Sequence, residues 1–222
     1  MNHECIGRTN DGVELAAERF NTRAAETLGM KPSQETIDAA LASYRSAEPL
    51  YTVEAEAVET LPAALRDGEY GRRDTQWIVR WYGRRYLGDE PPGVDRRRRE
   101  EAFEDADVEA VRDAVSAAAD ADRDGYDHAV AALTALPGVD LPVASAFLAF
   151  VHPEKFVVVG PREWDVVSDL TALEEPYPDP PSVGAYDAYL DACDDLADRY
   201  GLDPWELYMV LWRLWTDRHA EE

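Results

Sequence analysis

Between Arg72 and Arg99 lie nine of the chain's twenty arginines, interleaved with Trp77, Trp81, Tyr82 and Tyr86. Guanidinium groups bind phosphates through paired hydrogen bonds, and aromatic rings stack on exposed bases, so this combination suits a nucleic acid. Arg73, Trp77, Arg80, Trp81 and Arg84 recur at three- and four-residue spacing and can share one helix face. Arg73, Arg80, Trp81 and Arg84 are therefore candidate nucleic-acid contacts, with Arg162 as a further one. The same pattern also suits a core that buries the aromatics and pairs the arginines with some of the 46 acids. Arg96 to Arg99 are four adjacent like charges, which need a partner or salt screening.

Carboxylates and imidazoles offer less. Glu163 and Asp165 follow a Gly160-Pro161 break and are candidate catalytic acids, although acids at a helix start also suit its dipole. His3 and Cys5 together fall short of the three or four ligands of a metal site, and His128, His152 and His219 are scattered. No glycine-rich phosphate loop, paired-cysteine zinc spacing or nucleophile elbow occurs. Two cysteines, Cys5 and Cys193, cannot build a disulfide framework.

The elements that must position these groups read as helices, and the fold class is all-α. A weak helical pattern runs from Val13 to Leu28, and Ser33 or Gln34 starts a helix through Tyr44. Thr52 to Leu65 shows Val53, Ala57, Leu61 and Leu65 on one face, with Pro62 expected to interrupt or restart it. Further helices are expected over 75–87, from Arg96, over 107–119, 125–135, 142–150, 162–173, 182–200 and 203–218. Phe156 to Val159 reads as extended. Residues 1–32 are expected to form a variable N-terminal region and 33–222 one helical domain.

The sharpest punctuation in the chain is Leu136-Pro137-Gly138-Val139-Asp140-Leu141-Pro142-Val143-Ala144, a tight turn between two apolar helical patterns. About twenty residues later comes Val158-Val159-Gly160-Pro161-Arg162-Glu163-Trp164. Over about 133–167 the chain resembles the helix-hairpin-helix DNA glycosylase superfamily, the 8-oxoguanine DNA glycosylase branch in particular. The resemblance implies a glycosylase-like helical bundle with its hairpin at 133–150. It also implies phosphate contact by backbone groups at Gly138 and Val139, and a monovalent cation held by the carbonyls of Thr134, Leu136 and Val139. No other cofactor is expected. The family's lysine nucleophile falls at Pro142 and its aspartate at Gly160, which removes both reactive groups. Asp140 stands where the family has a glycine facing phosphate.

Composition frames the expected function. Forty-six acids against 22 bases give a net charge of −24, and Lys31 and Lys155 are the only lysines. Acid excess with lysine depletion resembles proteins of salt-accumulating haloarchaea, whose acidic surfaces are screened at molar salt. In such a medium the charge does not exclude a nucleic-acid partner. No apolar run is long enough to span a bilayer, and the sequence after Met1 shows no signal-peptide pattern, so a cytoplasmic protein without membrane contact is expected. Three functions follow, in order of expectation. The first is a non-catalytic glycosylase-fold protein that binds DNA at high salt. The second is a structural or protein-interaction protein that no longer binds DNA. The third is an active glycosylase with relocated catalytic residues.

Overall fold

The computed structural model describes residues 31–85, 93–174 and 176–219. The helix expected from Val13 to Leu28, and Tyr86, lie outside these residues. Ten helices and no strand occur among the described residues, so the chain is all-α there. In chain order they are α1 (Gln34–Ala47), α2 (Tyr51–Asp67), α3 (Arg72–Arg84), α4 (Gly93–Glu104) and α5 (Val108–Ala119), then α6 (Asp127–Thr134), α7 (Leu141–Val151), α8 (Pro161–Leu170), α9 (Val183–Tyr200) and α10 (Pro204–His219). None of them is long and apolar enough to cross a membrane.

Local chemistry sets many of the helix ends. The Asp107 carboxylate accepts from the amides of Glu109 and Ala110 at the start of α5, and the Ser182 hydroxyl accepts from Ala185 at the start of α9. Gly68 and Gly201 end α2 and α9 in the left-handed conformation. At the end of α8, the Thr171 hydroxyl donates to the Val167 carbonyl and accepts from the Leu173 amide. These side-chain bonds replace the next helical turn, so α8 stops at Leu170 rather than running to Leu173.

The core is centred on α7, whose eleven residues are all buried. A helix that is apolar on every side belongs inside a bundle, and α2, α3, α5 and α6 pack around it. A second group gathers on α10, which packs against α1, α8 and α9. Phe150 of α7 lies edge-on to Trp81 of α3 with ring centroids 4.8 Å apart, and 5.2 Å from Trp205 of α10, which ties the two groups together.

Two expectations need correction. In α2 the buried stripe contains Glu54, Ala57 and Leu65, whereas Val53 is 47% exposed. Ala57 and Leu65 hold the expected face, and Glu54 takes the place of Val53 in it, its carboxylate meeting partners inside. Pro62 does not interrupt α2, which runs unbroken through it. Proline removes one hydrogen bond, and burial of Ala57, Pro62 and Leu65 along the same flank holds the helix together. The segment from Phe156 to Val159, expected to be extended, is non-helical and pairs with no strand among the described residues. Its backbone is met by side chains instead: Tyr186, Tyr189 and Tyr82 donate hydroxyl hydrogens to the carbonyls of Val157, Val158 and Val159 at 3.0, 3.0 and 3.3 Å. Buried carbonyls need such partners, and three tyrosines from two helices supply them.

Candidate functional site

The hairpin joins α6 to α7. Gly138 has φ 81°, a left-handed conformation that suits glycine. Asp140 then caps α7, its carboxylate accepting the Val143 amide at 3.2 Å, and Pro142 occupies the first turn where it forfeits no helical bond. Helix α4 lies across this turn. A Cβ at position 138 would overlap the Arg99 carbonyl oxygen, and it would lie 3.2 Å from both the Arg99 carbonyl carbon and the Phe103 amide nitrogen. The Arg99 guanidinium also pairs with Asp140. The N–H end of α7 is thus capped by its own acid, and the outside of the turn is covered by α4. Among the carbonyls expected to hold a cation, that of Leu136 accepts the Val139 amide at 3.2 Å.

Pro142 and Gly160 are both buried, and one side chain links their neighbourhoods. The Ser145 hydroxyl donates to the Pro142 carbonyl at 2.6 Å and accepts from the Val159 amide at 3.0 Å. Phe147 and Trp164 are 0% and 4% exposed, and Trp164 stacks on Tyr189 with centroids 5.8 Å apart. The interior here is filled by packed rings and by a hydroxyl with its donor and acceptor capacity in use.

The candidate nucleic-acid residues do not form one surface. Trp81 is 2% exposed and donates its indole N–H to Glu54 at 2.7 Å, so it is a core ring and cannot stack on a base. Arg80 bonds to Glu104 and lies 3.9 Å from Glu100. Arg162 is half-buried, its guanidinium over Trp212 and Trp215 at 4.6 and 4.2 Å. Arg73 and Arg84 are exposed and form no ion pair with a described residue. Within the four-arginine run, Arg96, Arg98 and Arg99 pair with Glu100, Asp95 and Asp140. The internal pairing expected as the alternative accounts for much of the stretch.

A cluster that the sequence reading missed lies where α1, α2, α3, α8 and α10 meet. Glu54 is 1% exposed and accepts from the Tyr44 hydroxyl and the Trp81 indole, both at 2.7 Å. The Tyr208 hydroxyl lies 3.4 Å from that of Tyr44. Just after α3, Arg85 pairs with Glu163, and both side chains are essentially dry. The Arg85 guanidinium faces Tyr208, Trp81 and Trp212 at 4.7, 4.8 and 4.9 Å. Burial pushes the Glu54 carboxyl above its ordinary value, opposed by the Tyr44 and Trp81 hydrogen bonds and the Arg85 charge. Burial also pushes the Tyr44 and Tyr208 phenols far up, so both stay neutral hydroxyls. Of the two acids singled out near Gly160, Asp165 is exposed and Glu163 is committed to Arg85.

The signal for this cluster is visible in retrospect. Glu54 falls on the same helical stripe as Ala57, Leu61 and Leu65, three, seven and eleven residues on. A lone acid on an apolar stripe needs a buried donor. Chemically the cluster is a closed network, in which both Glu54 oxygens are in use. His152 is likewise engaged, with its Nε2 3.1 Å from the carbonyls of Ala118 and Ala119. No grouping of three or more histidines, cysteines or acids able to hold a metal occurs among the described residues. Comparison with protein-family models, with curated proteins and with solved structures finds no match to this chain.

Proposed function

We propose that this chain is a non-catalytic protein on a glycosylase-like helical bundle, with a structural or protein-interaction role, whose hairpin is used for internal packing and not for DNA. One observation carries the reading: α4 lies on the hairpin so closely that the Arg99 carbonyl excludes any side chain at Gly138. A phosphate approaching the start of α7 would have to displace that helix and the Asp140 cap. The closed interior around Pro142 and Gly160 supports the absence of base excision, since no reactive group stands at either position.

The second reading, DNA binding at high salt, is favoured by Arg73 and Arg84, two exposed cations with no ion pair to a described residue in a chain that carries 46 acids. Fluorescence anisotropy with labelled intact and abasic duplexes, over a series of KCl concentrations, separates the two. The first reading expects no saturable binding at any salt. Binding that weakens with salt and is lost in an Arg73→Glu, Arg84→Glu double variant would replace it with the second. Base release from a panel of damaged duplexes, lost in Glu163→Gln or Asp165→Asn, would instead establish the third expectation, an active glycosylase.

A further inference from the structure

Away from the hairpin, the start of α3, the end of α4 and the first turns of α5 enclose a cleft of about 90 Å³. Its floor is apolar, formed by the buried rings and methyls of Phe103 and Val111 together with the fully buried Thr75. Val108 stands at the edge, 47% exposed, one of two large apolar side chains left in water among the described residues. The rim carries Tyr70 and Arg112. Neither the Tyr70 hydroxyl nor the Arg112 guanidinium is bonded to any described residue.

We propose that this cleft binds a small aliphatic monocarboxylate, with Arg112 and Tyr70 holding the carboxylate and Phe103, Val108 and Val111 covering the alkyl part. The size fits: a cavity of about 150 Å³ accepts benzene, so 90 Å³ admits a chain of about four carbons. The polarity fits too. Guanidinium and phenol are both donors, matching the two oxygens of one carboxylate. The phenol keeps its proton because burial pushes it above its ordinary value, although Arg112 pulls it down. Arg72 adds positive charge at the rim, its guanidinium capping the carbonyls of Glu104 and Ala106 at the end of α4. Asp113 acts on Tyr70 in the opposite direction, and its charge disfavours a dianion such as sulfate or phosphate. The site goes beyond the structural reading above and stands or falls independently of it.

The test is an amide-resolved NMR titration of the full chain with sodium isobutyrate at constant ionic strength, alongside isobutanol and sodium sulfate. For a ligand of six heavy atoms a Kd of about 1–10 mM is expected, with saturable shifts confined to residues 70–75 and 103–112. Isobutanol and sulfate should each bind at least about fivefold more weakly. Arg112→Gln should weaken isobutyrate about tenfold and Tyr70→Phe about threefold, while Arg199→Gln, a distant exposed arginine, should leave it unchanged. Circular dichroism confirms that each variant is folded. Shifts that do not saturate, shifts elsewhere, equal binding of isobutanol, or full affinity in folded Arg112→Gln would each overturn the proposal.

Discussion

The carbonyl oxygen of Arg99 lies over the Cα of Gly138, so close that this turn position admits no side chain. The contact joins a highly charged helix to the apolar hairpin at the centre of the fold. It also gives the glycine two roles, a left-handed φ of 81° and close approach of another backbone.

Those two roles can be separated by mutation. Gly201 shares the left-handed conformation at φ 65° but has no atom within 4 Å of an added Cβ. Gly201→Ala should cost about 1–2 kcal/mol, the ordinary penalty for that conformation. Gly138→Ala should cost about 3 kcal/mol or more, because α4 must also move. Urea unfolding measures both, and equal losses would mean that α4 does not rest on the hairpin in solution.

Ser145 offers a second check. Its hydroxyl is the acceptor for the buried Val159 amide. Ser145→Ala leaves that amide without a partner and should cost about 1–3 kcal/mol. Faster hydrogen exchange at the Val159 amide is expected alongside. A variant as stable as the parent would show that water or a shifted backbone replaces the hydroxyl.

The pair Arg85 and Glu163 should behave as a unit. Removing one partner strands a dry charge, so Arg85→Met or Glu163→Leu alone should each lose about 3–5 kcal/mol. The double variant should recover much of that loss, since apolar side chains of similar volume replace both charges. Thermal unfolding of the four proteins gives the coupling, and strictly additive losses would refute it.

Glu54 predicts a pH dependence whose sign can be worked out. Its carboxyl is pushed up by burial in the folded state, so the folded chain holds a proton that the unfolded chain has released between the two pKa values. Stability from this group is therefore present at the acid end and is lost as pH rises through the folded value. Glu54→Gln keeps an acceptor for Trp81 or Tyr44 and removes the titration. Stability of the parent relative to this variant should fall as pH rises above the ordinary carboxylate range of about 4, and level off once the buried carboxyl has lost its proton. A difference that stays constant with pH would sink the prediction.

Much of this architecture was legible in residue order, and the limits have a physical cause. Pro137-Gly138, Asp107, Ser182 and the Pro204 start are local signals, and each stands at or beside a helix end as expected. Side chains that act across the fold were not legible in this way. Tyr186 and Tyr189 meet carbonyls 29 and 31 positions away, so the extended stretch gave no sign of what satisfies its backbone. Glu54 was passed over because a four-residue count from Val53 describes the neighbouring stripe almost as well. Trp81 and the arginines around it fit a nucleic-acid surface or a core equally in one dimension. Only the three-dimensional fold turns the ring towards Glu54 and Phe150.

The enclosure of Arg85 has a bearing on the medium in which the protein works. Surface pairs such as Arg45 with Glu206, or Arg123 with Asp191 and Asp194, face water and weaken as ions crowd around them. Mobile ions cannot reach a guanidinium walled in by Tyr208, Trp81 and Trp212. Its attraction to Glu163 is therefore screened far less than theirs. On an acidic surface whose self-repulsion rises and falls with ionic strength, the joint between α3, α8 and α10 changes little.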